Sequence, residues 1–264
     1  MLCIMLITAS ISAFMIAALR LAIGVFGDRQ GITRDMTDVT THVVYVGDSL
    51  ARYSYLERVY RHVYNAQAPT WVINEKMHKS WSQFFRNTTF PGMQCDCHRS
   101  QEWNLGTEYE NRYYTSKHKG LRLTYIQAYG DNMAHGRTPN EWGYMGAQWP
   151  EMLRELVLPM QPTCIVVNAG VWPHRDITAR IHEIMSVPGV VWRETHPQCN
   201  EKSGATDLDN MVREKWPAAF VPFPRTSHPL TYFDCMHFNS SGVYFDWNLV
   251  TDTYCPHGTF RENK

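Results

Sequence analysis

One serine, and an aspartate three residues ahead of a histidine far along the chain, have the types and spacing that nucleophilic acyl chemistry needs. The serine is Ser49, within Val46-Gly47-Asp48-Ser49-Leu50, and the pair is Asp234 and His237, within Asp234-Cys235-Met236-His237. A hydroxyl attacks an ester carbonyl usefully only when a base removes its proton. Imidazole is that base near neutral pH, provided a carboxylate orients the ring and stabilises its cation. His237 would take the Ser49 proton, and Asp234 would hold the ring. Each half alone has a plainer explanation. Serine is a favoured helix N-cap, and a chain with 12 histidines yields a D-x-x-H spacing readily by chance. The expectation rests on the two together.

Such residues must be held by elements. His42-Val43-Val44-Tyr45-Val46 is a short β-branched run that ends at Gly47. From Leu50 the apolar spacing turns helical, with Leu50, Tyr53, Leu56, Tyr60 and Val63 three or four apart. This is a strand, a tight turn and a helix. It presents Ser49 at the C-terminal edge of a sheet, with the free N–H groups and positive dipole end of the helix suited to an oxyanion. The alternation returns: strands are expected at residues 121–129, 164–167 and 190–193, and helices at 149–158, 176–185 and 207–216. Strands alternating with helices predict an α/β fold with a parallel sheet covered on both faces. Residues 65–118 break the pattern and read as an insertion over the sheet's C-terminal edge, where open α/β folds bind ligands. Trp81, Phe84, Phe85, Trp103, Tyr113 and Tyr114 lie there. They could stack on sugar rings or simply fill the space under a loop, so no site is assigned to them.

Four short blocks, in order from about residue 42 to 250, resemble the SGNH-type PC-esterase family. That family includes the trichome-birefringence-like polysaccharide O-acetyltransferases and the luminal domains of sialic-acid O-acetyltransferases. Gly47-Asp48-Ser49-Leu50 with Arg52 resembles its GDS-x-x-R opening. Asn168-Ala169-Gly170-Val171-Trp172 is similar to its N-x-G-x-W block, and Trp192-Arg193-Glu194-Thr195 to its strand ending in arginine. Asp234-Cys235-Met236-His237-Phe238, Gly242-Val243 and Trp247-Asn248 resemble its D-C-x-H-W…G-V…W-N ending. The resemblance implies a three-layer SGNH-like sandwich and acyl transfer by Ser49, His237 and Asp234. The expected chemistry is O-acetyl transfer to, or removal from, glycan hydroxyls, with no cofactor and no metal. The Ser49 N–H, Gly130 and Asn168 are candidate oxyanion donors, and Arg52 and Arg193 candidate substrate-binding groups. Gly130 also reads as an ordinary turn glycine, and Asn168 as a strand-end polar residue. Arg52 also reads as a salt-bridge partner of Glu57, and Arg193 as the partner of a nearby acid. One departure stands out: many SGNH hydrolases carry G-x-N-D in the third block, where this chain has Trp172-Pro173 after Gly170-Val171. The departure motivates a rival reading, a non-catalytic glycan-binding or structural protein on the same fold. A lipid esterase at a membrane surface is a further alternative.

The rest of the sequence bounds where such chemistry would occur. A length of 264 residues fits one well-cored domain with a short appendage. Lysine plus arginine equals aspartate plus glutamate at 25 each. Without a basic stripe, a nucleic-acid partner is not expected. Residues 1–27 are almost unbroken apolar sequence before a polar stretch at 28–41, predicting a signal-anchor and a stem ahead of a domain over 42–264. A cleaved signal peptide, which would release a secreted protein, and a buried core helix are the alternatives. The first two send the domain into the secretory lumen, in the Golgi or endoplasmic reticulum. Six cysteines follow the hydrophobic segment (Cys95, Cys97, Cys164, Cys199, Cys235 and Cys255). In an oxidising lumen they allow three disulfides with 15 pairings that the sequence does not separate. A zinc site at Cys95, Cys97 and His98 is the weaker reading, because the spacing fits no usual finger and no second paired cluster follows. N-glycosylation sequons at Asn87 and Asn239 suit the same compartment.

Overall fold

The computed structural model describes residues 41–98, 109–116, 120–128, 149–169, 175–197, 199 and 206–255. The expected anchor and stem (1–40) and Gly130 lie outside these residues. Among the described residues no helix is long and apolar enough to cross a membrane.

Strand β1 (Thr41–Gly47) is buried along nearly its whole length, as its near-continuous apolar run requires of a central parallel strand. Helix α1 (Ser49–Tyr64) follows immediately and ends on Asn65 in the left-handed conformation, a C-terminal signal that asparagine tolerates. Next come a short helix α2 (Trp81–Asn87) and strands β2 (Met93–His98), β3 (Tyr109–Ser116) and β4 (Leu121–Gln127). Helix α3 (Trp149–Met152) runs on into a wider π-helical turn at Leu153–Val157. Strand β5 (Cys164–Asn168) precedes α4 (Arg175–Ala179) and α5 (Ile181–Met185), two short pieces where one helix was expected. Strand β6 (Val190–Arg193), helix α6 (Asp207–Lys215), strand β7 (Phe220–Val221) and helix α7 (Ser241–Tyr254) complete the order.

The seven strands make one sheet in the order β2-β3-β4-β1-β5-β6-β7. The pairs β4–β1, β1–β5, β5–β6 and β6–β7 are parallel, and β2–β3 and β3–β4 antiparallel. The α/β class with a mainly parallel central sheet is therefore as expected. Within residues 65–118, β2 and β3 extend the sheet.

Side chains alternate across the sheet. Val43 and Tyr45 enter a core shared with α1 and α7, and Val44 and Val46 enter one shared with α3, α5 and α6. On the first face Tyr45 Oη donates to Asn248 Oδ1 at 3.1 Å and accepts from Arg58 Nη1 at 2.8 Å. Arg58 also pairs with Asp252 at 2.8 Å. These bonds fix α1 against α7, the helices on either side of the Ser49 and His237 segments.

Three cysteine pairs lie at disulfide distance: Cys95 with Cys97, Cys164 with Cys255, and Cys199 with Cys235. The second ties β5 to the end of α7. Cross-linking residues 91 apart removes more freedom from the unfolded chain than cross-linking neighbours two apart.

Candidate active site

Gly47 closes β1 beside Asn168, its partner in the register of β1 and β5. A Cβ at Gly47 would collide with the Asn168 carbonyl oxygen, so the turn into α1 admits only glycine there. Asp48 then caps the helix: its Oδ1 accepts from Leu50 N–H at 2.9 Å, and its carbonyl accepts from Arg52 N–H at 3.1 Å. Tyr125 Oη, from β4, donates to the carbonyls of Gly47 and Asp48 at 3.2 and 3.1 Å. Burial pushes the Asp48 carboxyl up, against the hydrogen bonds from the Leu50 and Ala51 N–H groups and nearby positive charge. Capping thus belongs to Asp48. Ser49 is the first helical residue, and its hydroxyl is not consumed as a cap.

The hydroxyl meets the far end of the chain. Ser49 Oγ lies 2.5 Å from His237 Nε2, across 188 residues of sequence. His237 Nδ1 lies 2.9 and 2.8 Å from Asp234 Oδ1 and Oδ2. A proton on Nδ1 facing the carboxylate leaves Nε2 bare, the tautomer that accepts from a serine hydroxyl. Asp234 Oδ1 also accepts from the N–H groups of Met236 and His237 at 3.1 and 3.0 Å. Burial would raise the Asp234 carboxyl, but the His237 ring and these N–H groups outweigh it and hold the group well below the usual carboxylate range.

The loop that carries the pair is held from several sides. Tyr232 and Phe238 form an isolated antiparallel bridge, and Phe233 N–H donates to His237 O at 3.1 Å. Cys235 sits at φ 65°, a left-handed conformation uncommon away from glycine, and pairs with Cys199. Tyr232 Oη donates to Pro197 O at 2.7 Å. His196, buried among Phe238, Phe223, Tyr232 and Trp247, donates through Nε2 to Met236 O. The imidazole of His237 is stacked on Phe233, with centroids 5.2 Å apart and planes 16° apart, and meets the ring of Tyr53 edge-on at 5.4 Å. Its orientation is fixed by a carboxylate and two aromatic walls.

Arg52, Arg193 and Asn168, also expected in the site, are held in buried contacts of their own. Arg52 is 1% exposed and pairs with Glu75 at 3.2 Å and Glu110 at 3.1 Å, not with Glu57. Glu110 also binds Arg112 at 2.6 Å, and Trp81, Phe84 and Phe85 enclose the two guanidinium groups. Those aromatics therefore face inward around charge. Arg193 is equally buried, lies 3.8 Å over the Trp247 ring, and is pulled down to about 9 by burial. It is packed beneath the sheet edge and not offered to a substrate in solution. The Asn168 amide donates to Arg193 O at 3.4 Å and is likewise buried, so it joins the ends of β5 and β6. Tyr53, Phe233 and Lys76, whose Nζ lies 3.3 Å from Asp234 Oδ2, are not singled out as site residues by sequence, and His196 reads there as a structural or surface group. Only proximity to residue 237 could have pointed to Phe233, and nothing local marked the other three.

Two buried histidines give the fold a pH dependence. Burial lowers His196 from the ordinary 6.5 to about 4, and burial with the Arg122 charge does the same to His42. His42 bonds Met160 O and Thr124 Oγ1 through its two ring nitrogens, at 3.1 and 3.0 Å. A depressed folded-state value means that the unfolded chain binds the proton first. The stability due to each neutral ring is whole above pH 6.5 and is lost as pH falls towards 4, up to about 3 kcal/mol apiece. Urea midpoints should fall steadily from pH 7 to pH 4.5. A flat profile would mean that both rings accept protons within the native state.

No family model matches this chain, and no curated protein and no solved structure matches it.

Proposed function

We propose that the chain is a serine acyl-ester enzyme of the SGNH/PC-esterase type on a three-layer α/β/α sandwich, acting on O-acyl groups of glycan hydroxyls. The observation that carries the reading is the continuous contact from Ser49 Oγ through His237 to Asp234 at the C-terminal end of β1. Ser49 Oγ attacks the acyl carbonyl while its proton passes to His237 Nε2, and the Ser49 N–H donates to the oxyanion. Collapse expels the alcohol, which takes the proton from Nε2 and leaves an acyl-serine. The bare imidazole then draws a proton from water or from a sugar hydroxyl, that oxygen takes the acyl group, and the Ser49 Oγ–acyl bond breaks as Oγ recovers the proton from Nε2. Asp234 stabilises the imidazolium in both halves and stays ionised.

The reading includes a membrane tether at residues 1–27 and a luminal catalytic domain. The three cysteine pairs and the exposure of both sequon asparagines, Asn87 and Asn239, support it. Fluorophosphonate probe on the full chain should label Ser49 and fail to label Ser49→Ala. Incubation with acetylated and unacetylated oligosaccharides, followed by mass, should show acetyl loss or gain in the wild type alone. A wild-type chain that takes no label but retains sugar would instead be a glycan-binding protein.

A further inference from the structure

Lys76 belongs to a short 3-10 turn, Glu75–Met77, that is fastened from below. Asn74 Oδ1 caps the turn by accepting from Lys76 N–H at 3.0 Å. Glu75 pairs with Arg52, which lies three residues after Ser49 and is itself held by Glu110 and the Tyr53 hydroxyl. The backbone of Lys76 is therefore set by the helix that carries the nucleophile. Its Nζ lies 3.3 Å from Asp234 Oδ2 and 5.7 Å from the Phe233 ring centroid.

That oxygen is the one closest to His237 Nδ1, at 2.8 Å. The other, Oδ1, also accepts two backbone N–H groups. A full positive charge thus shares the carboxylate with the imidazole. An exposed ion pair adds little to stability, and Lys76 is half exposed, but its charge acts on chemistry. A carboxylate partly satisfied by an ammonium stabilises an imidazolium less, so the ring releases its proton more readily.

We propose that Lys76 is a positioning residue of the Ser49–His237–Asp234 site, anchoring Asp234 Oδ2 and extending base catalysis to lower pH than the histidine and aspartate alone would allow. The inference rests on the reading of that site as catalytic. Among the described residues, the other charged or titratable groups that act on the imidazole or on Asp234 include Asp48 from the β1–α1 turn, Tyr53 from α1, His196 after β6 and Tyr244 from α7. Glu75 stands behind Lys76. All of them are unchanged when Lys76 alone is replaced.

The test uses the full chain in detergent and p-nitrophenyl acetate. In Lys76→Met the acidic limb of kcat/KM should move to higher pH by about half a unit or more, while Lys76→Arg keeps the wild-type limb. Because Lys76 is exposed, the gap between Lys76→Met and wild type should shrink near 1 M salt. A lysine with only a structural role would change the plateau or Tm and leave the limb in place, which overturns the proposal. A readout free of turnover is the NMR titration midpoint of the His237 ring, assigned with His237→Gln, which should rise in Lys76→Met. If the wild type turns over no ester but the midpoint rises, the coupling stands and the catalytic reading fails. If ester is turned over and neither limb nor midpoint responds, the coupling fails. Should Lys76→Met not fold, the acidic limb of the wild type should itself move to higher pH with added salt, and a limb indifferent to salt would overturn the proposal.

Discussion

Asp234→Asn should lower kcat/KM for ester cleavage by about four orders of magnitude, the scale reached when a triad histidine is held in the wrong tautomer. The reason lies in the two oxygens of Asp234. Oδ1 is fixed as an acceptor by the Met236 and His237 N–H groups. An asparagine would keep its oxygen there and place its amide nitrogen where Oδ2 now faces His237 Nδ1 at 2.8 Å. An N–H donor at that point forces the ring proton onto Nε2, against Ser49 Oγ, and a protonated Nε2 cannot act as the base. Asp234→Ala, which imposes no tautomer, should lose less. Steady-state rates with p-nitrophenyl acetate, alongside circular dichroism to verify folding, decide the matter. An asparagine variant within tenfold of wild type would mean that Asp234 does not orient the base.

Glu110→Gln should cost about 3–5 kcal/mol of unfolding free energy, because it takes the counter-charge from the buried Arg112 and leaves Arg52 with Glu75 alone. Glu110 is fully buried and is shared by Arg52 and Arg112, the latter also donating to Thr88 O at 2.9 Å. The glutamine keeps the shape and one acceptor but sets its NH2 against a guanidinium donor, since both Glu110 oxygens accept from arginine, so the loss reports the charge and one hydrogen bond together. Urea unfolding should show a lowered midpoint at unchanged slope. Arg52→Met with Glu75→Gln, Glu110→Leu and Arg112→Met should cost less than Glu110→Gln alone, since removing the buried ion cluster together with its second carboxylate, Glu75, spares the desolvation that breaking it exposes. A quadruple variant much weaker than the single would show that the cluster itself is a net source of stability.

The same cluster explains why part of the fold was illegible in sequence. Strand β3 buries Glu110, Arg112 and Tyr114 on one face, a period of two with charges in the inward positions. A pattern search for apolar alternation passes over it, because only the pairing of Glu110 with Arg112 on the same strand and with the distant Arg52 makes burial tolerable. Helix α7 was hidden for a related reason. Its buried face combines Val243, Tyr244 and Trp247 with Asn248 and Thr251. Asn248 is tolerated inside because Ser54 O, Glu57 Oε2 and Tyr45 Oη satisfy its amide.

What the sequence determined by itself is local. The β-branched run into Gly47, the helical spacing after Leu50 and the three-residue step from Asp234 to His237 each depend on neighbours along the chain. They set the strand, the turn, the helix and the carboxylate–imidazole pair. Only the tertiary structure decided that Ser49 meets His237 across 188 residues, that Arg52 and Arg193 are buried, and that Lys76 stands at Asp234. Each of these depends on which distant side chain satisfies a charge or a hydrogen bond. That partner is chosen by the packing of the sheet and its helices, and no spacing along the chain encodes it.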